Sequence, residues 1–309
     1  MKQFLIKITL FAFAVGLSIL LVFSMADGYS DALYMRFATS QKQSLILGTS
    51  RAAQGLIPSE IAKIISPSNS MGEFYNYGFS ITHSPWGPTY LASIKKKIRP
   101  ATKDAIYILA VDPWTLSSTT KNPDDSSHFE ELDHAVANVQ AVNMNPNLFY
   151  LTNYYFDPYV YILWRKWIHP RGFINNDGWL EISIEMDSAS VKEREDRLIT
   201  NYTNNNLVRY HFSDLRFVYL EKTIDFLKTH GKVYLVRMPL HRRMFEIEQK
   251  LMPNFESLIN SLCVTMKVDY FNYVDELNTY KFTDGNHLYK TSAKKLSIDL
   301  AKRIANSAR

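Results

Sequence analysis

The pattern of apolar and polar positions separates an N-terminal segment from the rest of the chain. Residues 8–26 contain no charged side chain, whereas Lys2 and Lys7 precede this run and Asp27 follows it. About 19 helical residues span roughly 28 Å, close to the thickness of the hydrocarbon layer of a membrane. The pattern therefore predicts a single transmembrane helix that keeps the lysines in the cytoplasm and places the body of the chain outside it.

A removed signal segment is the alternative for the same residues. Ser24-Met25-Ala26 resembles the small-x-small site at which signal peptides are cleaved. The apolar run is longer than the core of a typical signal peptide, which favours an uncleaved anchor. Both interpretations place the remaining chain outside the cytoplasm.

After a connector at residues 28–43, short apolar runs alternate with stretches of helical periodicity. The predicted strands are Ser44–Leu47, Ala105–Val111, Lys232–Val236 and Val268–Tyr273. The predicted helices cover about 58–65, Pro88–Lys97, a segment capped by Ser213 and closed by Gly231, about 244–266 with a break near Pro253, and about 291–305. The run 105–111 is apolar on both faces, as expected for a central parallel strand. This alternation predicts an α/β fold, a three-layer sandwich with helices on both faces of a mostly parallel sheet.

Residues from about 117 to 212 interrupt the alternation and are rich in Asn, Asp, Tyr and Trp. We interpret them as an aromatic-rich inserted subdomain that covers the site, within one domain at 44–309 that follows the anchor or signal segment at 1–27. Its aromatic residues include Tyr154-Tyr155-Phe156-Asp157-Pro158-Tyr159, Trp164 and Trp167. These rings could stack on sugars, lie at the bilayer surface or form a small core under loops, and their irregular spacing leaves all three open.

Composition and charge exclude several classes of function. The formal charge of +5 is spread along the chain without the basic stripe of a nucleic-acid groove, so no nucleic-acid partner is expected. The single cysteine, Cys263, excludes an internal disulfide and is expected to be a buried apolar residue. The histidines form no pair at metal-ligand spacing, so we expect no metal site.

Two distant motifs carry the candidate chemistry. Ser50 follows the first predicted strand directly after Gly48-Thr49, and Asp284 and His287 share one turn before the last predicted helix. A tight turn after a strand exposes its side chain at the carboxyl edge of the sheet, where open α/β folds bind ligands. A serine hydroxyl is a weak nucleophile and needs an imidazole base oriented by a carboxylate. These three residues supply that set, and the chemistry needs no cofactor.

In this order the motifs resemble those of the SGNH, or GDSL-like, hydrolase superfamily, over most of residues 44–305 apart from the insertion. Gly48-Thr49-Ser50 stands where that family has its nucleophile. Asp284-Gly285-Asn286-His287 closely resembles the last block, in which the histidine is the base and the aspartate orients it. Asn76-Tyr77-Gly78-Phe79-Ser80 resembles the block whose glycine, here Gly78, contributes a backbone amide to the oxyanion hole.

One block departs from the family pattern. Where the family has Gly-x-Asn-Asp after the central strand, with the asparagine donating to the oxyanion, this chain has Val111-Asp112-Pro113-Trp114. An ionised Asp112 cannot donate a hydrogen bond and repels developing negative charge. Two donors remain, the backbone amides near Ser50 and Gly78. The departure resembles membrane-anchored branches that act on envelope polymers, such as the alginate O-acetyltransferase and teichoic-acid D-alanylation families.

Charged residues near these motifs are candidates for substrate binding. Asp112 is one, and Arg51 could bind an acidic substrate group or form an ion pair with Asp112. Residues 237–243, with three arginines and His241, lie at or just beyond the end of another predicted strand. They could line the same rim or form a charged face in solvent.

These observations lead to one preferred function and two alternatives. The preferred function is a membrane-anchored serine esterase or O-acyltransferase that forms an acyl-enzyme outside the cytoplasm. Its expected partners are an acyl ester or acyl donor, a cell-envelope polysaccharide and the membrane around the N-terminal helix. The first alternative, favoured by Asp112, is a non-catalytic binding or assembly protein of the envelope. The second is an envelope anchor without any site.

Overall fold

The computed structural model describes residues 1–65, 74–168, 171–276 and 279–307. Its α-helices are α1 Lys2–Ser24, α2 Tyr34–Ala38, α3 Ser50–Gly55, α4 Pro58–Ile65, α5 Pro88–Lys97, α6 Ala135–Asn138, α7 Leu148–Asn153, α8 Val160–Trp164, α9 Ser188–Asn201, α10 Leu207–Arg209, α11 Asp214–Lys228, α12 Arg242–Leu251, α13 Phe255–Met266 and α14 Lys290–Ser307. Its strands are β1 Ser44–Leu47, β2 Phe74–Asn76, β3 Ala105–Ala110, β4 Ser117–Ser118, β5 Gly172–Ile174, β6 Leu180–Ile182, β7 His211–Phe212, β8 Gly231–Arg237 and β9 Asp269–Asn272.

A five-stranded parallel sheet in the order β2-β1-β3-β8-β9 forms the centre of the domain. The predicted α/β class with a parallel sheet is confirmed, and β3 is the central strand. The edge strand β2 was not predicted, because three residues are too few to display the alternation that marks a strand. Successive side chains of a strand point to opposite faces, so each internal strand contributes to two separate cores.

Those two cores lie on opposite faces of the sheet. Leu45 and Leu47 of β1 pack with residues of α5, α11 and α13, whereas Ile46 between them packs with residues of α3, α4 and α14. The same alternation continues in β3, where Leu109 joins the first core and Ile108 the second. This arrangement is the predicted three-layer sandwich, with helices on both faces of the sheet.

The N-terminal helix α1 is long and apolar enough to cross a membrane, two properties that it shares with signal sequences. Most of it is exposed, but Phe23 near its end and Ala26 just beyond it are buried against the domain. The connector that follows is also part of the first core, since Tyr34 and Phe37 of α2 are fully buried. The domain therefore packs directly against the last turn of α1 and the residues that follow it.

The segment between β4 and β7 stands out from the alternating strands and helices. Ser117 of β4 pairs with Phe212 of β7 in an antiparallel ladder, so the two ends of this segment lie side by side. Within it, the hairpin β5–β6 and helix α9 pack toward the carboxyl edge of the sheet. Trp179 Nε1 donates a hydrogen bond to the Gln54 carbonyl of α3 (2.8 Å), and Arg194 Nε donates to the Thr283 carbonyl (2.8 Å).

Candidate active site

The turn between β1 and α3 places Ser50 at the carboxyl edge of the sheet. Gly48 has a φ of +138°, a conformation that L side chains rarely adopt, and a Cβ there would lie 2.9 Å from Ala110 Cβ of β3. Thr49 is extended, and Ser50 is the first residue of α3. The Gly48 amide donates to the Tyr90 hydroxyl (3.1 Å), which fixes the turn to α5. Only glycine lets β1 turn this closely over β3, and the turn leaves Ser50 partly exposed.

Ser50, His287 and Asp284 form a continuous chain of hydrogen bonds. Ser50 Oγ lies 2.8 Å from His287 Nε2, and His287 Nδ1 lies 2.8 Å from Asp284 Oδ2. The other carboxylate oxygen of Asp284 accepts from the amides of Asn286 (3.0 Å) and His287 (2.9 Å). The side chains of His287 and Asp284 are 15% and 22% exposed, so both remain partly accessible to solvent. The structure thus brings together the three residues that the sequence nominated.

The turn that carries Asp284 and His287 is held from three directions. At its base, the Thr283 amide donates a hydrogen bond to the His287 carbonyl (2.8 Å). Gly285 at its tip has a φ of +81° and its carbonyl accepts from the His241 amide (3.0 Å). Arg194 of α9 reaches the Thr283 carbonyl, as described above. The imidazole is therefore positioned by backbone contacts as well as by Asp284.

Electrostatics keep Asp284 ionised in the folded protein. Burial raises the pKa of this carboxyl, but the facing His287 and the hydrogen bonds from His287 and Asn286 outweigh it and lower the pKa to about 2. At neutral pH the carboxylate can hold the Nδ1 proton of the imidazole, which leaves Nε2 as the acceptor for the Ser50 hydroxyl. This is the tautomer that a general base requires.

Gly78 does not have the free amide that the resemblance implies. Its N–H donates to Asn76 Oδ1 (3.0 Å), and its carbonyl accepts from the buried Arg36 guanidinium. Asn76 in turn donates to the carbonyls of Ala52 and Leu56 (both 2.8 Å), at the end of the helix that begins with Ser50. The Asn76–Gly78 turn therefore supports α3, and in this arrangement Gly78 is not an open oxyanion donor. The Ser50 amide, by contrast, has no hydrogen-bond acceptor among the described residues.

Arg51 and Asp112, the candidate substrate-binding residues, are both buried in the structure. Arg51 Nη1 lies 2.6 Å from Glu248 Oε1 and 3.4 Å from Asp112 Oδ2, so the predicted ion pair with Asp112 is present. Arg51 also donates to Asn286 Oδ1 through Nε (2.8 Å). Because its donors are used inside the protein, Arg51 positions the Ser50 helix against the His287 turn.

Asp112 begins a 3₁₀ turn at Pro113–Leu116 and accepts a hydrogen bond from the Thr115 amide (3.1 Å). Burial raises its pKa, Arg51 lowers it, and the nearby Glu248 raises it further, with a net upward shift. The Asp112 side chain thus faces the protein interior, where it caps the 3₁₀ turn and pairs with Arg51. Asp112, which stands where the resemblance expects an asparagine, thus forms its contacts inside the protein.

Glu248 is the central residue that sequence reasoning missed. It is fully buried and bridges two arginines, with Oε1 on Arg51 and Oε2 2.9 Å from Arg237 Nη2. Arg237 also pairs with Glu256, so it does not line the rim. Glu248 stands four residues after the buried Met244 and one after Ile247. The feature of the sequence that could have identified Glu248 was its place, as a charged residue, on the apolar face of a predicted helix.

A cavity of about 620 Å³ lies beside the turn that carries Asp284 and His287. Its walls, from the inserted segment and from residues near the turn, combine apolar side chains such as Met186, Val191 and Phe282 with polar and charged ones such as Glu195 and His241, and Gly285 also borders it. Arg243, at its edge, pairs with Glu195 and Asp196 of α9, whereas Arg242 pairs with Glu246 in solvent. Among the described residues, no group of three or more acidic, histidine or cysteine side chains is placed to hold a metal ion.

Comparisons with known proteins add structural likeness only. No family model and no curated protein matches the chain. Est24, a carbohydrate acetylesterase from Sinorhizobium meliloti, is 13% identical, with a TM-score of 0.40 and 86% of this chain and 100% of that chain covered. The aryl esterase of M. smegmatis is 12% identical, with a TM-score of 0.38 and 86% and 99% covered. The fold and site described above stand on the geometry of this chain itself.

Proposed function

We propose that the protein is a serine esterase or O-acyltransferase that works through an acyl-enzyme on Ser50. The observation that carries the proposal is the chain of two 2.8 Å contacts from Ser50 through His287 to Asp284. Ser50 Oγ attacks the acyl carbonyl carbon while its proton passes to His287 Nε2. The tetrahedral intermediate then expels the alcohol, which takes that proton from Nε2, and the acyl group stays on Ser50. Asp284 remains a carboxylate and stabilises the imidazolium throughout.

In the second half of the reaction, an incoming hydroxyl replaces the departed alcohol. His287 Nε2 removes its proton as its oxygen attacks the acyl-enzyme; the ester bond to Ser50 then breaks, and Ser50 Oγ takes the proton back from Nε2. Water gives hydrolysis, whereas a sugar hydroxyl gives transfer. Esterase and O-acyltransferase thus share one site, and the access of water decides between them.

The oxyanion would rest mainly on the Ser50 amide. One lost donor costs about 2.7–4 kcal/mol of transition-state stabilisation, and neither Asp112 nor the Gly78 amide is available in this arrangement. We therefore expect slow turnover, with an acyl-enzyme that can be trapped. A transferase that must avoid rapid hydrolysis is compatible with such a site.

The location of the reaction follows from α1 as an uncleaved anchor. The lysines before the apolar run would stay in the cytoplasm and the domain would face the cell envelope, where an O-acylated glycan is the proposed substrate. The intact mass of the protein extracted from membranes tests the anchor, since loss of the first 26 residues would show cleavage.

A non-catalytic envelope protein is the second candidate. The observations that favour it are the inward-facing Asp112 and the occupied amide of Gly78, which remove two of the donors that the resemblance implies. Such a protein would keep the hydrogen-bonded triad as a structural feature.

Labelling with a fluorophosphonate probe separates the two candidates. The wild-type protein should be labelled, Ser50→Ala should not, and His287→Ala should be labelled much more slowly because its serine lacks a base. Ser80→Ala is the matched control: Ser80 Oγ also contacts a histidine, His83 (2.7 Å), but this histidine has no hydrogen-bonded carboxylate among the described residues. Absence of labelling in the wild type, or equal labelling in Ser50→Ala, would contradict catalysis by Ser50.

A further inference from the structure

Large apolar side chains are exposed on one side of α8 and the 3₁₀ turn that continues it. We define this aromatic face by Phe156, Val160, Trp164, Trp167 and Ile168. Phe156 is 88%, Trp167 75% and Trp164 60% exposed, although the neighbouring Ile162 is buried in the first core. Val160 and Trp164 stand one helical turn apart. An exposed apolar cluster of this kind marks an interaction surface.

The aromatic face lies beside the point where α1 leaves the domain. Phe23, in the last turn of α1, makes an edge-to-face contact with Tyr159, the residue before α8 (4.9 Å between ring centroids). Arg165, which follows α8, donates to the carbonyl of Ser30 (2.9 Å). Tyr29 stacks on Phe173 of β5 (4.7 Å). The two ends of α8, at Tyr159 and Arg165, therefore contact the last turn of α1 and the segment that directly follows it.

This attachment sets the level of a bilayer around α1. The uncharged part of α1 before the buried Phe23, residues 8–22, spans about 22 Å as a helix, and Lys7 before it can extend its side chain to the head groups, so a hydrocarbon layer needs this whole stretch. The outer boundary of the membrane would then lie at the last turn of α1. Since Tyr159 contacts that turn, the adjacent face is held near the same boundary.

We infer that the aromatic face rests in the outer interfacial layer of the membrane into which α1 inserts. The inference depends on the proposed anchoring by α1. Tryptophan prefers this layer because its ring is apolar and its indole N–H can still reach water or lipid head groups. The exposed Lys166 between the two tryptophans adds a positive charge that anionic lipid head groups attract. Docking at two places, α1 and the aromatic face, would give the active site a defined orientation above the bilayer.

Spin labels in the full-length protein test this surface. The protein, with Cys263 replaced by serine, is reconstituted in phosphatidylethanolamine and phosphatidylglycerol vesicles with single cysteines replacing Trp164 or Trp167. The matched control is Val264→Cys, at a 79% exposed site on α13, and Phe13→Cys reports on α1. We expect the ratio of oxygen to nickel-chelate accessibility at 164 and 167 to exceed that at 264 several-fold and to approach that at 13.

The outcomes distinguish the aromatic face from the anchor. A lipid signal at 13 with water-like values at 164 and 167 would overturn the inference and leave the anchor in place. Water-like values at 13 as well would overturn both. Labels at 164 and 167 that are water-accessible on vesicles but become immobilised by added O-acetylated polysaccharide would assign the face to glycan binding instead.

Discussion

Asp284 combines an electrostatic and an orienting function in one side chain. One carboxylate oxygen contacts His287 Nδ1, and the other accepts two backbone amides of its own turn. Its pKa is lower in the folded protein than in the unfolded chain, at about 2. The stability that the ionised carboxylate contributes is therefore complete above about pH 4 and is lost as the pH falls toward about 2. The site should therefore keep an ionised Asp284 at every pH at which the protein is normally assayed.

The variant Asp284→Asn should fold but lose most of its activity. An asparagine can still accept the backbone amides, yet it no longer stabilises the imidazolium or secures the required tautomer. We expect kcat on an aryl acetate to fall by about 10⁴-fold. Asp275→Asn, at an exposed acidic residue shortly before the turn, is the control and should keep its activity. Retention of activity within tenfold of the wild type would refute the assigned role.

Asp112 provides a pH-dependent prediction of the opposite sign. Because its pKa is raised, the folded protein binds more protons than the unfolded chain from about pH 4 up to the raised value, and stability falls with rising pH in that interval. Asp112→Asn keeps an oxygen for the Thr115 amide but does not ionise. The variant should gain stability relative to the wild type as the pH rises from 4 to 7, measured by urea unfolding. A wild type that gains relative to the variant would mean that the Arg51 ion pair dominates.

The helix α12 connects the elements that carry the candidate triad. Through Glu248 it contacts Arg51 of α3 and Arg237 of β8, and Arg51 reaches Asn286 in the turn beside His287. Loss of the Glu248 charge would remove one partner from each buried arginine and leave Arg51 with Asp112 and Arg237 with Glu256. Glu248 is therefore expected to position the Ser50 helix and the His287 turn relative to each other.

Glu248→Gln should destabilise the protein strongly. Removing one partner of a buried ion pair typically costs about 3–5 kcal/mol, and Glu248 has two arginine partners. Glu246→Gln on the same helix removes only an exposed pair with Arg242 and should change the free energy of unfolding by less than about 1 kcal/mol. Urea denaturation measures both, and equal effects in the two variants would be evidence against a positioning network.

The last turn of α1 belongs to the folded domain, so α1 and the domain form one unit. Phe23 and Ala26 are buried in the first core, whereas the preceding turns of α1 are exposed. This continuity carries the inference about the aromatic face, because a flexible linker would leave the domain free to rotate above the membrane.

Truncation of Phe23 should weaken the domain itself. Phe23→Ala removes a buried ring and its contact with Tyr159, at a cost of about 3–5 kcal/mol. Phe11→Ala, at an exposed site on the same helix, should leave domain unfolding unchanged. Thermal unfolding in detergent, followed by near-ultraviolet circular dichroism, compares the two. Identical unfolding transitions in the two variants would show that α1 does not contribute to the stability of the domain.

Local patterns in the chain were sufficient for most strands and helices outside residues 117–212, though not for β2, and for the choice of the candidate reactive groups. The helix at Pro88–Lys97 and the Ser213 cap appear as predicted, because a proline in the first turn and a capping hydroxyl act within a few residues. Ser50, Asp284 and His287 could be nominated for the same reason: each stands at a turn next to a predicted strand or helix.

The contacts between these elements depend on the three-dimensional packing. Ser50 and His287 are 237 residues apart, and only the order of the strands brings their side chains within 2.8 Å. Asp112 faces inward because it pairs with Arg51, and Arg51 faces inward because it also pairs with Glu248, whose charge on an apolar helix face had no visible partner in the sequence. Periodicity indicates which side of a helix or strand is buried, but not which residues that side contacts. For this reason the sequence was sufficient to propose a nucleophile and its base, and the tertiary structure was needed to describe the oxyanion site and the buried charges around it.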